Sequence, residues 1–356
     1  MSRSIHPFAL LFLFFLSTPS ITQAIEYRII DLGRFDCLYA SYAHVYGINE
    51  YGNKATGASC SDLGDAAFIW DAVNGMQYIG TLGSRSLGLS INNNGQITGT
   101  SRLLDSSQEH AFLWDPSTGM LDLGTLGGDV SVGRGINNIG QVVGDSYFGP
   151  NPTPIAFLWD NVNGMQTFIE TVDGWSSTAF DVNDQGQITG QYNAPGEHHA
   201  YIWDPTNGMQ TLGSLGPGFS LGAGINNNGQ VVGSTATMED TVHAFLWDAT
   251  NGMQDIGTLG GAYSRASDIN DHGQIVGSSD TGSGESHAFL WDIENGMQDL
   301  CVLARCTESG WDNIDDAQGI ANNGSIVATG EIDGESYAVL IMINDTIFSD
   351  GFEDPD

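Results

Sequence analysis

Apolar and polar residues alternate along this chain in short segments that recur at a nearly constant interval. The segment His110-Ala-Phe-Leu-Trp-Asp115 recurs unchanged at 243–248 and 287–292, and variants of it begin at Ala66, Ile155, His199 and Tyr337. A second segment, Ile-Asn-x-x-Gly-Gln, occurs in seven versions that begin at Ile48, Ile91, Ile136, Val182, Ile225, Ile269 and Ile320. The interval of about 44 residues is typical of the blades of a propeller.

Within one repeat, the pattern predicts four strands that are separated by tight turns. In the sixth repeat we predict strands at 264–270, 274–279, 287–291 and 297–300. Asn and Gly between the apolar runs tolerate the positive φ that a hairpin turn needs. Apolar residues fill both alternating sets of the third strand, as in a sheet that is covered on both faces. No segment keeps an apolar period of about 3.6 residues, so we predict almost no helix.

The two ends of the repeat region predict a closed ring. Residues 27–33 match a fourth strand alone, whereas residues 337–343 match a third strand that no fourth strand follows. An N-terminal strand that completes the last blade would hide the exposed edge of that blade. An open solenoid would need polar caps, and none is visible. We therefore predict an all-β domain at 25–345, a seven-bladed β-propeller with four-stranded blades.

The segments on either side of this domain predict export. Residues 1–24 have a basic start at Arg3, an apolar run at 8–16 and a small-residue cleavage site that ends at Ala24, as in a signal peptide. The apolar run is too short to span a bilayer, so we expect no membrane insertion. We expect a monomer that is secreted or held at the cell surface. Residues 346–356 form an acidic C-terminal tail, for which a disordered end is the simplest interpretation.

Charge excludes several classes of partner. The chain has 9 Lys and Arg residues against 43 Asp and Glu residues, a formal net charge of −34. A field of this sign repels phosphate backbones and anionic headgroups, so we expect no nucleic-acid partner. The acidity would suit calcium, but the calcium-like run at 181–186 lacks the closing Glu of that motif. We therefore predict no cofactor and no metal site, with calcium as the weaker alternative.

Four cysteines, Cys37, Cys60, Cys301 and Cys306, fit an oxidising compartment. We favour the pairs Cys37–Cys60 and Cys301–Cys306, because each pair is local in sequence. A bond from Cys37 to Cys301 or to Cys306 is the alternative, since ring closure would bring the chain ends together.

Three motifs together resemble those of a known family. His-Ala-Phe-Leu-Trp-Asp, Gly-Met-x-x-Leu-Gly-Thr-Leu-Gly-Gly and Ile-Asn-x-x-Gly-Gln are similar to the repeats of the bacterial extracellular HAF-repeat family, over residues 27–343. The resemblance implies export and a repeat architecture, and it implies no particular reaction. The chain departs from the family pattern at 301–306, and also at 168–175, where the Leu-Gly-Thr-Leu-Gly-Gly run is lost.

Residues that break the repeat are the candidates for function, because residues present in every blade serve the packing of that blade. The variable loops between the second and third strands are one such set. Two crossovers between blades, 168–175 and 307–312, are another, and they would face each other across the channel mouth. Their candidate ligand-binding residues are Trp175, Trp311, Glu170, Asp173, Glu308 and Asp312. Indole faces stack on sugars and carboxylates accept sugar hydroxyls, whereas the alternative is that each Trp fills a gap between blades.

No catalytic signature stands out. The run 218–222 matches a nucleophile elbow formally, but that motif needs a strand–turn–helix setting and Ser220 occupies a repeat position. The repeated histidines, such as His110, are expected to hydrogen bond within their own blade. We hypothesise a secreted, non-catalytic scaffold that binds a glycan or a protein. The alternatives are an extracellular polysaccharide hydrolase or lyase that uses the crossover carboxylates, and a purely structural surface or matrix protein.

Overall fold

The structure, a computed structural model, describes residues 27–35, 37, 42–62, 64–148, 153–169, 175–194 and 196–343. In this part of the chain there are 28 strands and two helices of four residues each. The prediction of an all-β fold is confirmed. Residues 1–24 and 346–356, where a signal peptide and an acidic tail are predicted, lie outside the described residues.

The described strands form three sheets of four strands and two sheets of eight. Each eight-stranded sheet consists of two four-stranded units that one parallel pair joins, and we number the resulting seven units in chain order. Strand β1 (Tyr27–Asp31) precedes unit 1. The strands of units 1 to 4 are β2 (Ala43–Ile48), β3 (Lys54–Ser61), β4 (Gly64–Asp71) and β5 (Gly75–Tyr78); β6 (Gly83–Ile91), β7 (Ile97–Leu103), β8 (Glu109–Asp115) and β9 (Gly119–Asp122); β10 (Val130–Ile136), β11 (Val142–Phe148), β12 (Thr153–Asp160) and β13 (Gly164–Thr167); and β14 (Ser176–Val182), β15 (Ile188–Ala194), β16 (Glu197–Asp204) and β17 (Gly208–Gly213).

Units 5 and 6 repeat this order, and unit 7 takes its outermost strand from the start of the chain. The strands of units 5 to 7 are β18 (Ser220–Ile225), β19 (Val231–Ala236), β20 (Val242–Asp248) and β21 (Gly252–Asp255); β22 (Gly260–Ile269), β23 (Ile275–Thr281), β24 (Ser286–Asp292) and β25 (Gly296–Asp299); and β26 (Asn313–Ile320), β27 (Ile326–Ile332) and β28 (Glu335–Ile343), followed by β1. The pairing of β1 with β28 is antiparallel and runs from Tyr27↔Ile343 to Asp31↔Val339.

Each unit has two different ends, because successive strands run in opposite directions. We call one end the turn face; it holds the Ile-Asn-x-x-Gly turns and the turns between the third and fourth strands. We call the other end the loop face; it holds the loops between the second and third strands and the crossovers to the next unit. The first strand of a unit runs parallel to the third strand of the preceding unit, as in the pair Val130↔Glu109, so equivalent ends lie on the same side.

Hydrogen bonds explain why the turn after each Trp-Asp pair is repeated. The Asp160 carboxylate accepts the backbone N–H groups of Val162 and Asn163, both at 2.8 Å. Gly164 follows with a φ of 70°, which a residue with a Cβ rarely adopts. The same bonds lower the pKa of Asp160 below its ordinary value, with the Asn163 side chain as the main cause.

Serine hydroxyls link most neighbouring units. The Ser131 hydroxyl accepts the N–H of Ala111 in the preceding unit at 2.8 Å and donates to the carbonyl oxygen of Gly124 at 2.6 Å. Equivalent serines accept an alanine N–H at four further junctions; they are Ser86, Ser177, Ser220 and Ser264. Unit 7 has the buried Ile314 at this position, and it packs in an apolar cluster with Leu300 and Trp311. Serine hydrogen bonds therefore stabilise most junctions between units, and apolar packing stabilises the junction of units 6 and 7.

The crossover from unit 6 to unit 7 differs from the predicted strand. Strand β25 ends at Asp299, and Leu300 begins helix α1 (Leu300–Leu303), which is followed by α2 (Cys306–Ser309). The Asp299 carboxylate caps α1 by accepting the N–H of Cys301 at 2.8 Å. The structure joins Cys301 to Cys306 and Cys37 to Cys60, which are the two local pairings that the sequence favours. Among the described residues, no helix is long and apolar enough to cross a membrane.

Candidate functional site

The repeated histidines belong to the frame of the molecule. His110 Nδ1 lies 2.9 Å from Asp122 Oδ1 in the fourth strand of the same unit. The equivalent pairs are His243 with Asp255 at 2.8 Å and His287 with Asp299 at 2.6 Å. These bonds fix the third strand to the fourth within one unit, as the sequence predicts for the repeated histidines.

The two tryptophans of the crossovers each pack against a tyrosine of the same unit. Trp311 is only 7% exposed, and the edge of its ring system meets Tyr337 at a centroid distance of 5.7 Å. It has no open face for a sugar, which favours the alternative that it fills a gap between units. Trp175 is half-buried and meets Tyr192 edge-on at 5.5 Å.

The four crossover carboxylates are only partly described. Glu170 and Asp173 lie outside the described residues. Glu308 is exposed and lies 3.6 Å from Arg305, and the Asp312 carboxylate accepts the N–H of Asp333 at 2.7 Å. These two carboxylates therefore have local structural partners, and a paired site across the two crossovers stays a prediction.

A central cavity of about 200 Å³ lies between the first strands of the seven units. Each first strand has a β-bulge, where the pairing register shifts. The bulged residue lies two positions before the Ile or Val with which the strand ends. A bulge leaves one residue unpaired and redirects its side chain. All seven bulged residues line the cavity, and they differ in every unit: Tyr46, Leu89, Arg134, Phe180, Ala223, Ser267 and Gln318.

A glycine on the second strand makes room for most of these bulges. A Cβ on Gly144 would overlap the carbonyl oxygen of Val132, two residues before the bulged Arg134. Gly99, Gly190 and Gly233 oppose a first-strand carbonyl in the same way. The repeated glycine of the Gln-Ile-Val-Gly pattern is therefore a requirement of close backbone approach.

The turn-face end of the cavity is crossed by the Glu50 side chain. Its carboxylate accepts the side-chain amides of Asn93 at 2.8 Å, Asn138 at 3.1 Å and Asn227 at 3.2 Å, which belong to units 2, 3 and 5. The Glu50 carboxylate thus spans the opening that the turns surround, and it is held by three units other than its own.

The same turns are joined by a directional chain of hydrogen bonds, which we call the inter-unit chain. The N–H of Asn93 donates to Asn138 Oδ1 at 2.9 Å, and the N–H of Asn138 donates to Asp184 Oδ1 at 2.9 Å. The pattern continues from unit to unit as far as Asn322, whose N–H donates to the carbonyl oxygen of Glu50 at 3.0 Å. Each turn therefore fixes the position of its neighbour.

Two carboxylates, those of Asp181 and Asp268, lie in the wall of this cavity. The Asp181 carboxylate accepts the N–H groups of Val182 at 2.8 Å and of Ile225 in the next unit at 3.0 Å. Asp268 makes the equivalent bonds with its own unit and with unit 7, through Ile320. Burial, and then the charge of Asp268, raises the pKa of Asp181 to about 7. Burial also raises the pKa of Asp268. Both groups are used to join units.

Exposed apolar side chains gather on the loop face of units 5 and 6. Phe219, Met238 and Tyr263 are 36%, 78% and 54% exposed, respectively. With the partly buried Val242 they stand at the loop-face ends of four strands that are neighbours in one sheet, β18, β19, β20 and β22. We call these four residues the 5–6 rim.

Units 2 and 3 provide a matched surface of different chemistry. Their sheet has the same topology, and the equivalent positions hold Arg85, Leu104, Glu109 and Val130, which we call the 2–3 rim. Arg85 and Glu109 form an ion pair there, and the pair covers the rim. The 5–6 rim has neither charge, so its side chains are left open to solvent.

A second cavity, of about 310 Å³, lies beside the 5–6 rim, and we call it the 5–6 groove. Its non-repeated lining residues are Ser234, Val242, Tyr263, Arg265, Ser278, Asp280 and Ser286. Arg265 is bonded to Ser278 at 3.0 Å and to Asp316 at 2.8 Å. The side chains of Ser234, Asp280 and Ser286 make no hydrogen bond to another described residue, so their polar groups are available.

The sequence prediction missed both the cavity wall and the 5–6 rim. The bulged residues that line the cavity lie two positions before the repeated segment that begins with Ile or Val, and their variability was the available signal. Phe219 and Tyr263 each precede a repeated serine, a position that also varies from unit to unit. Among the described residues, no group of three or more His, Cys, Asp or Glu side chains is arranged to hold a metal ion.

Comparisons with known proteins identify the fold. A sequence family described as "Protein of unknown function (DUF3466)" matches residues 218–351. None of the curated proteins matches the chain significantly in sequence. The β-propeller domain of the Trilobed protease from Pyrococcus furiosus, described as having an open velcro topology, is similar over 86% of this chain and 96% of that domain, with a TM-score of 0.59 and 11% identity.

An acylaminoacyl peptidase from Pyrococcus horikoshii is similar over 82% of this chain, with a TM-score of 0.51 and 16% identity. The chain spans about half of that peptidase, 51% of its length. At these identities the likeness concerns the fold, and it confirms a β-propeller type of architecture. The resemblance to the HAF-repeat family stays a prediction.

Proposed function

We propose that this protein is an extracellular, non-catalytic binding scaffold, a seven-bladed propeller that presents its ligand site on the loop face. One observation carries the proposal, namely the different use of side chains at the two faces. On the turn face, repeated polar side chains are bonded between units. On the loop face, non-repeated side chains of the 5–6 rim are exposed on the same rigid frame, which is where binding residues are usually found.

Ring closure is supported by contacts across the seam between units 7 and 1. Strand β1 completes unit 7 by pairing with β28. The inter-unit chain passes from Asn322 to the carbonyl oxygen of Glu50, and the Asn323 side chain donates to the carbonyl oxygen of Tyr51 at 3.0 Å. We therefore interpret the seven units as the blades of one ring.

An extracellular location is supported by the chemistry of the cysteines. Both described disulfides would be unusual in a reducing cytosol and are typical of an exported protein. The net charge of −34 is compatible with solubility in that setting.

A non-catalytic role is supported by the hydrogen bonds of the two buried carboxylates in the cavity wall. A general acid or base must reach the proton that it transfers. Asp181 and Asp268, whose pKa values are raised, each accept two backbone N–H groups and thereby connect units. Their shifted pKa values are explained by this structural position.

The proposal is tested by incubating the purified protein with polysaccharides and with extracellular proteins, while retention and released sugar are both measured. Retention of one ligand without product is the expected result. A turn-face variant such as Ile139→Ala should bind as the parent does, because Ile139 lies at an exposed turn. Released sugar would contradict the non-catalytic role, and retention of neither class of ligand would contradict the binding scaffold.

A further inference from the structure

The 5–6 rim and the 5–6 groove together have the chemistry of a carbohydrate site. Two aromatic side chains, Phe219 and Tyr263, are exposed at the ends of strands that are three positions apart in one sheet. Neighbouring strands are spaced by about 4.8 Å, so the backbones that carry the two rings are about 14 Å apart along the rim. That separation suits a chain of several sugar units and exceeds the width of a single sugar ring.

The groove supplies the polar contacts that sugar hydroxyls need. Ser234 and Ser286 offer hydroxyls that both donate and accept, and the Asp280 carboxylate offers acceptors. None of the three side chains is bonded to another described residue. A ligand rich in hydroxyls and with apolar ring faces would use both the groove and the rim, since aromatic faces pack on C–H groups.

Charge decides between neutral and acidic sugars. The chain has a formal net charge of −34, which repels anions at long range. The one cation in the groove, Arg265, is already paired with Asp316 at 2.8 Å. The groove therefore lacks a free cation for a carboxylate or a sulfate.

The ion pair that covers the 2–3 rim has no counterpart at the equivalent positions of unit 6, which hold Tyr263 and Ser286. In unit 2, Glu109 at the start of the third strand pairs with Arg85. In unit 6 the position equivalent to Glu109 is Ser286, which is exposed and too short to reach the first strand. The same fold thus makes a covered rim between units 2 and 3 and an accessible groove at units 5 and 6.

We propose that the 5–6 rim and groove bind a neutral oligosaccharide, with Phe219 and Tyr263 as stacking platforms and Ser234, Asp280 and Ser286 as hydroxyl partners. This inference rests on the proposed binding function and specifies its ligand class and its site. It predicts a ligand of several neutral sugar units that lies along the loop face.

The test measures binding of the full-length protein to soluble β-glucan, mannan, galactan and chitin oligosaccharides, with polygalacturonate as the acidic counterpart. At least one neutral probe should bind, and polygalacturonate should bind at least tenfold more weakly. Tyr263→Ala and Phe219→Ala should each weaken the neutral probe by about tenfold, because each removes one ring from the rim. Tyr263→Phe should keep most of the affinity, since it keeps the ring.

Leu104→Ala in the 2–3 rim is the matched control, because Leu104 is exposed at the position equivalent to Met238. It should leave affinity unchanged. Neutral binding that survives both aromatic substitutions, preference for polygalacturonate, or no glycan binding at all would each overturn the inference. Retention of an extracellular protein in that last case would leave the broader binding function standing, whereas its absence would contradict both.

Discussion

The turn face and the loop face are built from opposite ends of the same strands, yet they use polar residues in opposite ways. On the turn face, buried amides such as Asn137 donate to the next unit and to their own turn. On the loop face, the side chains of Ser234, Asp280 and Ser286 in the 5–6 groove make no hydrogen bond to another described residue. The difference teaches that one end of each repeat specifies the assembly and the other end is free to vary.

The largest effect should follow from breaking the turn face at Asn137. Its side-chain amide donates to the carbonyl oxygen of Asn183 at 3.0 Å, and its Oδ1 accepts the N–H of Gln141 at 2.9 Å. Asn137→Ala removes these two bonds and the bond to Gln141 Oε1, and it leaves the N–H of Gln141 without its partner. The carbonyl oxygen of Asn183 keeps the N–H of Gly186. The free energy of unfolding should fall by about 3 kcal/mol. Urea denaturation measures it. Ile139→Ala, two residues away and 69% exposed, is the control, and equal losses in the two variants would contradict the role of Asn137.

A smaller loss is expected when the serine link between two units is removed. Ser131→Ala deprives the buried N–H of Ala111 and the carbonyl oxygen of Gly124 of their partner, so stability should fall by about 2 kcal/mol. Ser267→Ala is the matched control, because its hydroxyl bonds to no other described residue. Denaturation curves that coincide for the two variants would show that the junction does not depend on this hydroxyl.

Replacing the buried carboxylate of Asp181 should raise stability, whereas the two substitutions above should lower it. Its pKa in the folded protein is about 7, above the ordinary value of 3.8. The folded state therefore binds the proton more tightly, and stability falls as the pH rises from about 4 to about 7. Asp181→Asn removes the charge, so at pH 8 it should stabilise by about 1 kcal/mol, after allowance for one weakened backbone bond.

The measurement is urea unfolding of both proteins at pH 5 and pH 8, and the gain should shrink at pH 5. Asp204→Asn is the contrasting variant. Hydrogen bonds from Asn207 and the backbone lower the pKa of Asp204. The Asp204 carboxylate therefore stabilises the folded protein above the ordinary pKa of aspartate, and this stabilisation is lost as the pH falls. If Asp181→Asn and Asp204→Asn both lower stability at pH 8, the two carboxylates do not have the opposite effects on stability that we predict.

The smallest effect on stability should come from the loop face. Tyr263→Ala removes a side chain that is 54% exposed, so the free energy of unfolding should change by less than about 0.5 kcal/mol. Thermal unfolding measures this change beside the loss of glycan binding. A large destabilisation would mean that Tyr263 stabilises the fold, and the turn face and the loop face would then differ less in their contribution to stability.

Much of the frame could be predicted from sequence, because each unit repeats the same local chemistry. The hairpins around Asn-Gly pairs, the third strands and the bonds of His110 all follow from short-range rules. The bulges were missed, although an isolated glycine within a strand, such as Gly144, is a recognised signal for a close backbone approach. Once the bulge is known, the cavity-lining positions can be identified in every unit.

The candidate site was harder to predict, because it depends on which positions meet across units. Trp311 looked like a ligand platform because it breaks the repeat, yet it fills a gap next to Tyr337. Phe219 and Tyr263 lie 44 positions apart, and only the sheet order makes them neighbours along one rim. Composition and spacing within one repeat hold no information about such contacts.

Glu50 has a consequence for how this protein can evolve. Tandem repeats are readily gained or lost by duplication, and links between adjacent repeats such as the inter-unit chain would re-form in a larger or smaller array. The Glu50 carboxylate is different, because it touches units 2, 3 and 5 at once. An added or deleted repeat would change the width that this side chain must span. The bonds of Glu50 therefore favour the present number of repeats over one repeat more or one repeat fewer.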